Sequence, residues 1–231
     1  MQCIIFLNIK HNSNIFEKIR FNQLNSLIYF VVKENLSRYK TDNPKLDFKS
    51  CVRKIYNEEK ILFKDSNYYV LRSSEGSLLG SIRTLELKDD SNYILPIQNL
   101  FNIHPFDVIK KNFKSVFHIG RFAIKSNVQD ISILKAFITL SIISVCNHPK
   151  NVAFAECDSK LLKTLNLIGI NAKILGEPVT YLGSKTYPIL LEYNGLIDFY
   201  NQNIEKQKRY LMHIYEPNSI RKNSEIKRSV K

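Results

Sequence analysis

Apolar residues near the start of the chain recur at close to helical spacing. Ile15, Phe16, Ile19, Leu24, Leu27, Ile28 and Val31 predict one or two amphipathic helices over residues 14–39. Before them, MQCIIFLNIK (residues 1–10) is apolar but lacks a basic leader and a small-residue cleavage site, so it reads as a strand and not as a signal peptide. Asp42-Asn43-Pro44 breaks the helical pattern, and residues 47–59 read as another short helix. Tyr68-Tyr69-Val70-Leu71-Arg72, the turn Ser73-Ser74-Glu75-Gly76 and the apolar run Leu78–Leu87 predict a β-hairpin. Residues 95–101 and 105–111 are short mixed segments.

The stretch 117–147 organises the rest. It reads as a buried strand (117–124), a turn, and a helix over Ile131–Cys146 that is apolar on nearly every face, hence packed on both sides. A His, a Gly and an Arg interrupt the strand, and a pure core strand has no use for them. Further strands are predicted at 152–156, 172–175, 179–182 and 187–193, with helices at 159–167 and 196–214. This alternation predicts an α/β chain with a mixed sheet and helices on both faces. Residues 1–214 are expected to form one domain, and the polar, basic residues 215–231 a disordered tail.

Composition narrows the function classes. The chain has 231 residues, 44% of them hydrophobic, enough for one sizeable core. No run of about 18 apolar residues is present, so no transmembrane segment is expected. Four cysteines (Cys3, Cys51, Cys146, Cys157) show no metal-ligand spacing, so no metal is expected, and a reducing cytoplasmic compartment is the default. A net charge of +13 calls for an acidic partner or surface. Nucleic acid, an anionic membrane reached through the basic tail, and an acidic carrier protein all qualify; a basic solvated surface is the bland alternative. Nucleic acid is disfavoured, because no aromatics are interleaved with the basic groups and no nucleic-acid-binding signature is present.

His118-Ile119-Gly120-Arg121-Phe122-Ala123-Ile124 resembles the Glu-x-x-Arg-Phe-Ala-Val strand of acyl-homoserine-lactone synthases and of their relatives, the long-chain N-acyl amino acid synthases. These form a branch of the GNAT acyltransferase superfamily. Leu79-Gly80-Ser81-Ile82-Arg83 resembles the family's Gly-x-x-Arg strand, and Leu95-Pro96-Ile97 with Phe101 the segment after it. Gly176-Glu177-Pro178 and Gly183-Ser184-Lys185-Thr186-Tyr187-Pro188 resemble its closing strands. The resemblance covers residues 24–192 and implies a GNAT-like, mostly antiparallel sheet.

It also implies a reaction, in which an amine attacks the carbonyl of a fatty acyl thioester. The oxyanion in this fold is met by a backbone N–H of the central strand at a bulge, which places Phe122, Ala123 and Ile124 beside the thioester. His118 stands where the family has Glu, and it is either the general base or a core histidine bonded to a neighbour. Arg83 and Arg121 match family arginines. They either form buried ion pairs, with Asp65 the candidate partner of Arg121, or hold a substrate carboxylate. Strand alternation puts His118, Gly120 and Phe122 on one face and Ile119, Arg121 and Ala123 on the other.

The loop Ser126-Asn127-Val128-Gln129-Asp130-Ile131-Ser132 lacks the glycines that hold the pyrophosphate of coenzyme A, which favours acyl-phosphopantetheine on acyl carrier protein over acyl-coenzyme A as co-substrate. Lys110, Lys111, Lys114, Lys125 and Lys135 are the candidates for steering that carrier. Ser132, Phe137 and Phe154, with Leu134, Ile138, Leu140, Ile142, Ile143 and Val152, either line an acyl slot or are ordinary core. A tyrosine acid common near residues 161–165 is absent. Ile28 replaces an arginine of the region where lactone synthases bind S-adenosylmethionine. The expectation is therefore an N-acyltransferase acting on an amino acid or small amine. A lactone synthase, a non-catalytic GNAT-fold binding protein and a nucleic-acid or membrane-surface binder are the alternatives.

Overall fold

The computed structural model describes residues 14–38, 47–88, 93–109 and 113–215, the last eight as helical backbone alone. The strand expected at 1–10 and the tail beyond residue 215 lie outside the described residues.

Ile15–Lys18 is a strand, β1, and not the start of a helix as its spacing predicts. Over so short a run, periods of 2 and 3.6 both bury Phe16, and pairing with residues 69–72 decides between them. Helices α1 (Leu24–Arg38) and α2 (Phe48–Leu62) follow. Asp47 starts α2 by accepting hydrogen bonds from the Lys49 and Ser50 amides, which satisfies two of the helix's free donors. Strands β2 (Ser66–Arg72) and β3 (Leu78–Leu87) form the predicted hairpin. Two short helices, α3 (Pro96–Phe101) and α4 (Pro105–Ile109), precede β4 (Val116–Ile124). Then come α5 (Ile131–Cys146), β5 (Val152–Asp158), α6 (Ser159–Leu167), β6 (Lys173–Ile174), β7 (Val179–Tyr181), β8 (Ser184–Glu192) and α7 (Tyr193–Tyr215).

The sheet runs β1-β2-β3-β4-β5-β8-β6, with β7 also paired to β8. Every pair is antiparallel except β4 with β5, whose crossover is α5. Helices α5 and α7 cover one face, where Phe137, Ile142, Val145 and Phe199 meet Leu71, Ile82 and Ile119. Gly80 of β3 lets α5 approach closely, since a Cβ there would collide with the Phe137 ring. Helices α1 and α2 cover the other face, packing Leu24, Leu27, Ile28 and Ile55 on Tyr68, Val70 and Ala123. A third cluster gathers Leu62, Leu85, Ile97, Val116, Phe154 and Leu190. No described helix is long and apolar enough to cross a membrane.

Candidate active site

Two irregularities of β4 set up the site. The first is a β-bulge. The β3–β4 register shifts between Ser81 and Arg83, and Arg121 takes a left-handed conformation (φ 54°). A non-glycine residue there costs of order 1–3 kcal/mol and persists only where its surroundings hold it. Here Ser81 Oγ donates to the Arg121 carbonyl at 2.9 Å, and two carboxylates bind its guanidinium. The bulge overturns the expected alternation. Arg121 joins His118 on the α1–α2 side with Ala123, while Phe122 turns with Ile119 towards α5, its ring 6.1 Å from that of Phe137. The second irregularity is the end of the β4–β5 ladder at Ile119 and Ala155. Beyond it the two strands run on without pairing to each other, although β5 stays bonded to β8 as far as Asp158.

The wedge between them is a cavity of about 120 Å³, far above the roughly 10–15 Å³ that one water occupies by this measure. Its depth is apolar, with Ile82, Ile119, Ile138, Ile142, Leu165 and Ile189 among its walls. Its polar lining includes Gly120, Arg121, Glu156, Asp158 and Tyr181. A second space of about 220 Å³ adjoins it, lined by Phe122, Ala123, Ile124, Ile131 and Leu134 and by the charged side chains Glu34, Asp130, Asp158 and Lys160.

Behind the cavity lies a buried charge cluster. Glu59 is fully buried and ion-paired to Arg121 (Nε, 2.6 Å) and Arg83 (Nε, 3.3 Å), and it accepts from the Tyr68 hydroxyl at 2.5 Å. Burial pushes its carboxyl up, but Arg121 and Arg83 outweigh that and hold it at about 2. Arg121 also binds Glu58 at 3.1 Å and donates to the Tyr181 hydroxyl at 3.4 Å. The Arg121 partner is thus Glu58 and Glu59 and not Asp65, which lies 3.7 Å from Lys88 instead. The α2 carboxylates were missed in the sequence because they sit 62 and 63 residues from Arg121.

Arg83 and His118 are wholly buried, and neither lines the cavity. Arg83 Nη2 lies 2.6 Å from His118 Nδ1. A guanidinium can only donate, so Nδ1 accepts, and Nε2 carries the proton that it donates to Glu156 Oε1 at 2.9 Å. Burial, with Arg83 adding to it, holds the imidazole pKa below its usual value and the ring neutral. Glu156 is pushed up by burial, yet His118 and the arginines keep it below the usual carboxylate range. Burial raises the Tyr181 pKa, so this hydroxyl stays protonated and can donate. Cys157 also lines the cavity, but burial and the carboxylates of Asp158 and Glu156 push its thiol up, away from a reactive thiolate.

Other predicted residues are dispersed. Phe154 faces the third core cluster, and Phe137 packs on Phe122 and Phe16. Neither lines the cavity, nor does Ser132, whose amide is bound by the α5 cap Asp130 at 2.8 Å. Ile138 and Ile142 do line it. Lys125 directly follows β4, and Lys135 lies in the second turn of α5. Lys114 is exposed at the opposite end, about 35 Å along the strand, and Lys110 and Lys111 lie outside the described residues. Among the described residues no cluster of His, Cys, Asp or Glu could hold a metal.

No protein-family profile matches the chain, and no curated protein matches it in sequence. Solved structures do. FeeM, an N-acyl amino acid synthase from uncultured soil microbes, superposes with a TM-score of 0.58 at 11% identity, over 80% of this chain and 93% of that one. The AHL synthase LasI gives 0.52 at 12% identity, over 83% and 96%. BjaI, a CoA-dependent acyl-homoserine lactone synthase solved with SAM and isopentyl-CoA, gives 0.52 at 10% identity, over 82% and 89%. At such identities the agreement is one of fold, and it is the fold that these synthases share.

Proposed function

We propose that this chain is an N-acyltransferase that moves a fatty acyl group from a thioester to the amine of an amino acid or small amine. The observation that carries this is the wedge between β4 and β5: an apolar cavity that opens onto a strained bulge and a buried carboxylate. Where β4 parts from β5 beyond Ile119, the wedge leaves room for an extended acyl-pantetheine arm to lie along β4, in the manner of an added strand. The acyl chain occupies the apolar depth, where each buried methylene contributes about 0.8 kcal/mol.

The proton acceptor in this reading is Glu156, whose carboxylate faces the cavity, and not His118. Both nitrogens of His118 are engaged, so it is a positioning residue that orients Glu156. The amine nitrogen attacks the thioester carbonyl, the C–N bond forms as the C–S bond breaks, Glu156 takes a proton from nitrogen, and the departing sulfur takes one from Tyr181 or water.

The acyl donor we favour is acylated carrier protein. Asp130 already satisfies the start of α5, and Glu34 accepts from the Ser126 amide at 2.9 Å, so carboxylates stand where a pyrophosphate would need free donors. Lys125 and Lys135 are the candidates in this reading for steering an acidic carrier.

The test is mass spectrometry of lipid extracts from cells expressing the wild type or Glu156→Gln. N-acylated amines or amino acids in the wild type, lost in the variant, are the expected result. Acyl lactones would instead identify a signal synthase. A well-folded wild type that yields no acylated product would overturn the enzyme reading.

A further inference from the structure

We infer that the acceptor is an amine that carries no carboxylate, so that free α-amino acids are poor acceptors. The inference rests on the acyltransferase reading above and concerns the same cavity. An α-amino acid brings a carboxylate that must find a cation once desolvated, because an unpaired buried carboxylate is prohibitively costly. Neither arginine offers it an uncompensated positive charge. Arg83 is sealed behind His118 and does not line the cavity. Arg121 does line it, but Glu59, Tyr181 and Glu58 each hold one of its three guanidinium nitrogens, and the charges of Arg83, Arg121, Glu58 and Glu59 together sum to zero.

The remaining charges on the wall of this cavity are negative, and Lys160 lines the adjoining space instead. Glu156 is about nine-tenths buried, its one hydrogen-bond partner is a neutral histidine through Oε1, and Oε2 has no partner among the described residues. Asp158 stands beside it, using Oδ1 to cap α6. With His118 neutral, the cluster of Arg83, Arg121, Glu58, Glu59 and Glu156 carries one net negative charge, and Asp158 adds another. Such a cavity draws in an ammonium group and repels a carboxylate. Acceptor selection then works by repulsion as much as by attraction.

The experiment has two parts. The first is calorimetric titration of the purified full-length protein with two matched pairs: tyramine against tyrosine, and agmatine against arginine. At least one decarboxylated partner should bind at least about tenfold more tightly than its amino acid, and Asp158→Asn, which keeps a capping oxygen, should narrow that gap. Amino acids that bind as well as or better than the amines would overturn the inference, as would the absence of binding by all four. The second part supplies octanoyl carrier protein or octanoyl-coenzyme A with each equimolar pair and weighs the products. A dominant N-octanoyl amine is expected. Dominant N-octanoyl amino acids would overturn the acceptor inference while leaving the acyltransferase standing. Selective amine binding without any acyl transfer would overturn the acyltransferase reading alone.

Discussion

His118 stands directly behind Glu156, its Nε2 2.9 Å from Glu156 Oε1, while Arg83 fixes the other side of the ring at 2.6 Å. The three side chains form a line from the buried charge cluster to the cavity wall, and only the last member meets the cavity. Glu156→Gln should lower acyl transfer by about 10²–10⁴-fold. His118→Gln keeps a donor towards Glu156 and should cost less, with a displaced pH–rate profile. Rates of both variants across pH would check this. Equal loss in both, with unchanged profiles, would remove the distinction between acceptor and positioner.

Glu59 is the shared counter-ion of two buried arginines. Removing it leaves Arg83 without a carboxylate partner and Arg121 with Glu58 alone, so Glu59→Gln should destabilise the fold by about 3–5 kcal/mol in chemical denaturation. Glu58 is partly exposed and among the described residues binds only Arg121, and Glu58→Gln should cost about 1 kcal/mol or less. The reverse order would contradict the cluster as described.

Acid should act on the same groups in two stages. His118 has a folded pKa below its ordinary value of 6.5, so the unfolded chain takes up a proton first and stability falls as pH drops below that point. Glu59 has a folded pKa of about 2 against an ordinary 4.5, so a second loss runs from about 4.5 down to about 2. Both contributions are complete above the unfolded pKa, and both are lost on acidification. Denaturation midpoints between pH 7.5 and 3 should therefore decline throughout, and His118→Gln should abolish the first stage.

Gly120 leaves room for the arginine–histidine contact. A Cβ at this position would lie 2.9 Å from Arg83 Nη2 and 3.3 Å from His118 Cε1. Gly120→Ala should cost about 1–3 kcal/mol and reduce acyl transfer through displacement of the Arg83–His118–Glu156 line. A fully active, fully stable variant would show that the contact is dispensable.

The depth of the cavity should set the acyl chain length. Ile138 is buried on its wall, and Ile138→Phe shortens the space without adding polarity. Long-chain donors should lose about tenfold or more in kcat/KM, at roughly 0.8 kcal/mol per excluded methylene, while short-chain donors are retained. A uniform loss across chain lengths would argue that the acyl group lies elsewhere.

Most elements of this fold are legible in the amino-acid order. The α5 boundaries at Ile131 and Cys146, the β2–β3 hairpin and the α6 helix all follow from local patterning, because periodicity, capping aspartates and turn residues act over a few positions. The resemblance around His118–Ile124 pointed to the fold that the solved structures share. Where a segment is short, as at β1, local rules lose to pairing with a distant strand.

The sequence by itself determined which residue types β3, β4 and α5 carry: an arginine on each of the two strands, a histidine on β4 and a run of apolar positions along α5. Tertiary structure alone decided what they do to one another. Glu58 and Glu59 reach Arg121 across 62–63 residues, Glu156 reaches His118 across 38, and Tyr181 reaches Arg121 across 60. A single bulge at Arg121 then reverses which side chains face the α1–α2 layer and which face α5. Backbone pattern is set by near neighbours, but a buried charge must find its partner wherever the fold supplies one. The chemistry of the cavity is therefore written in contacts that no window of sequence contains.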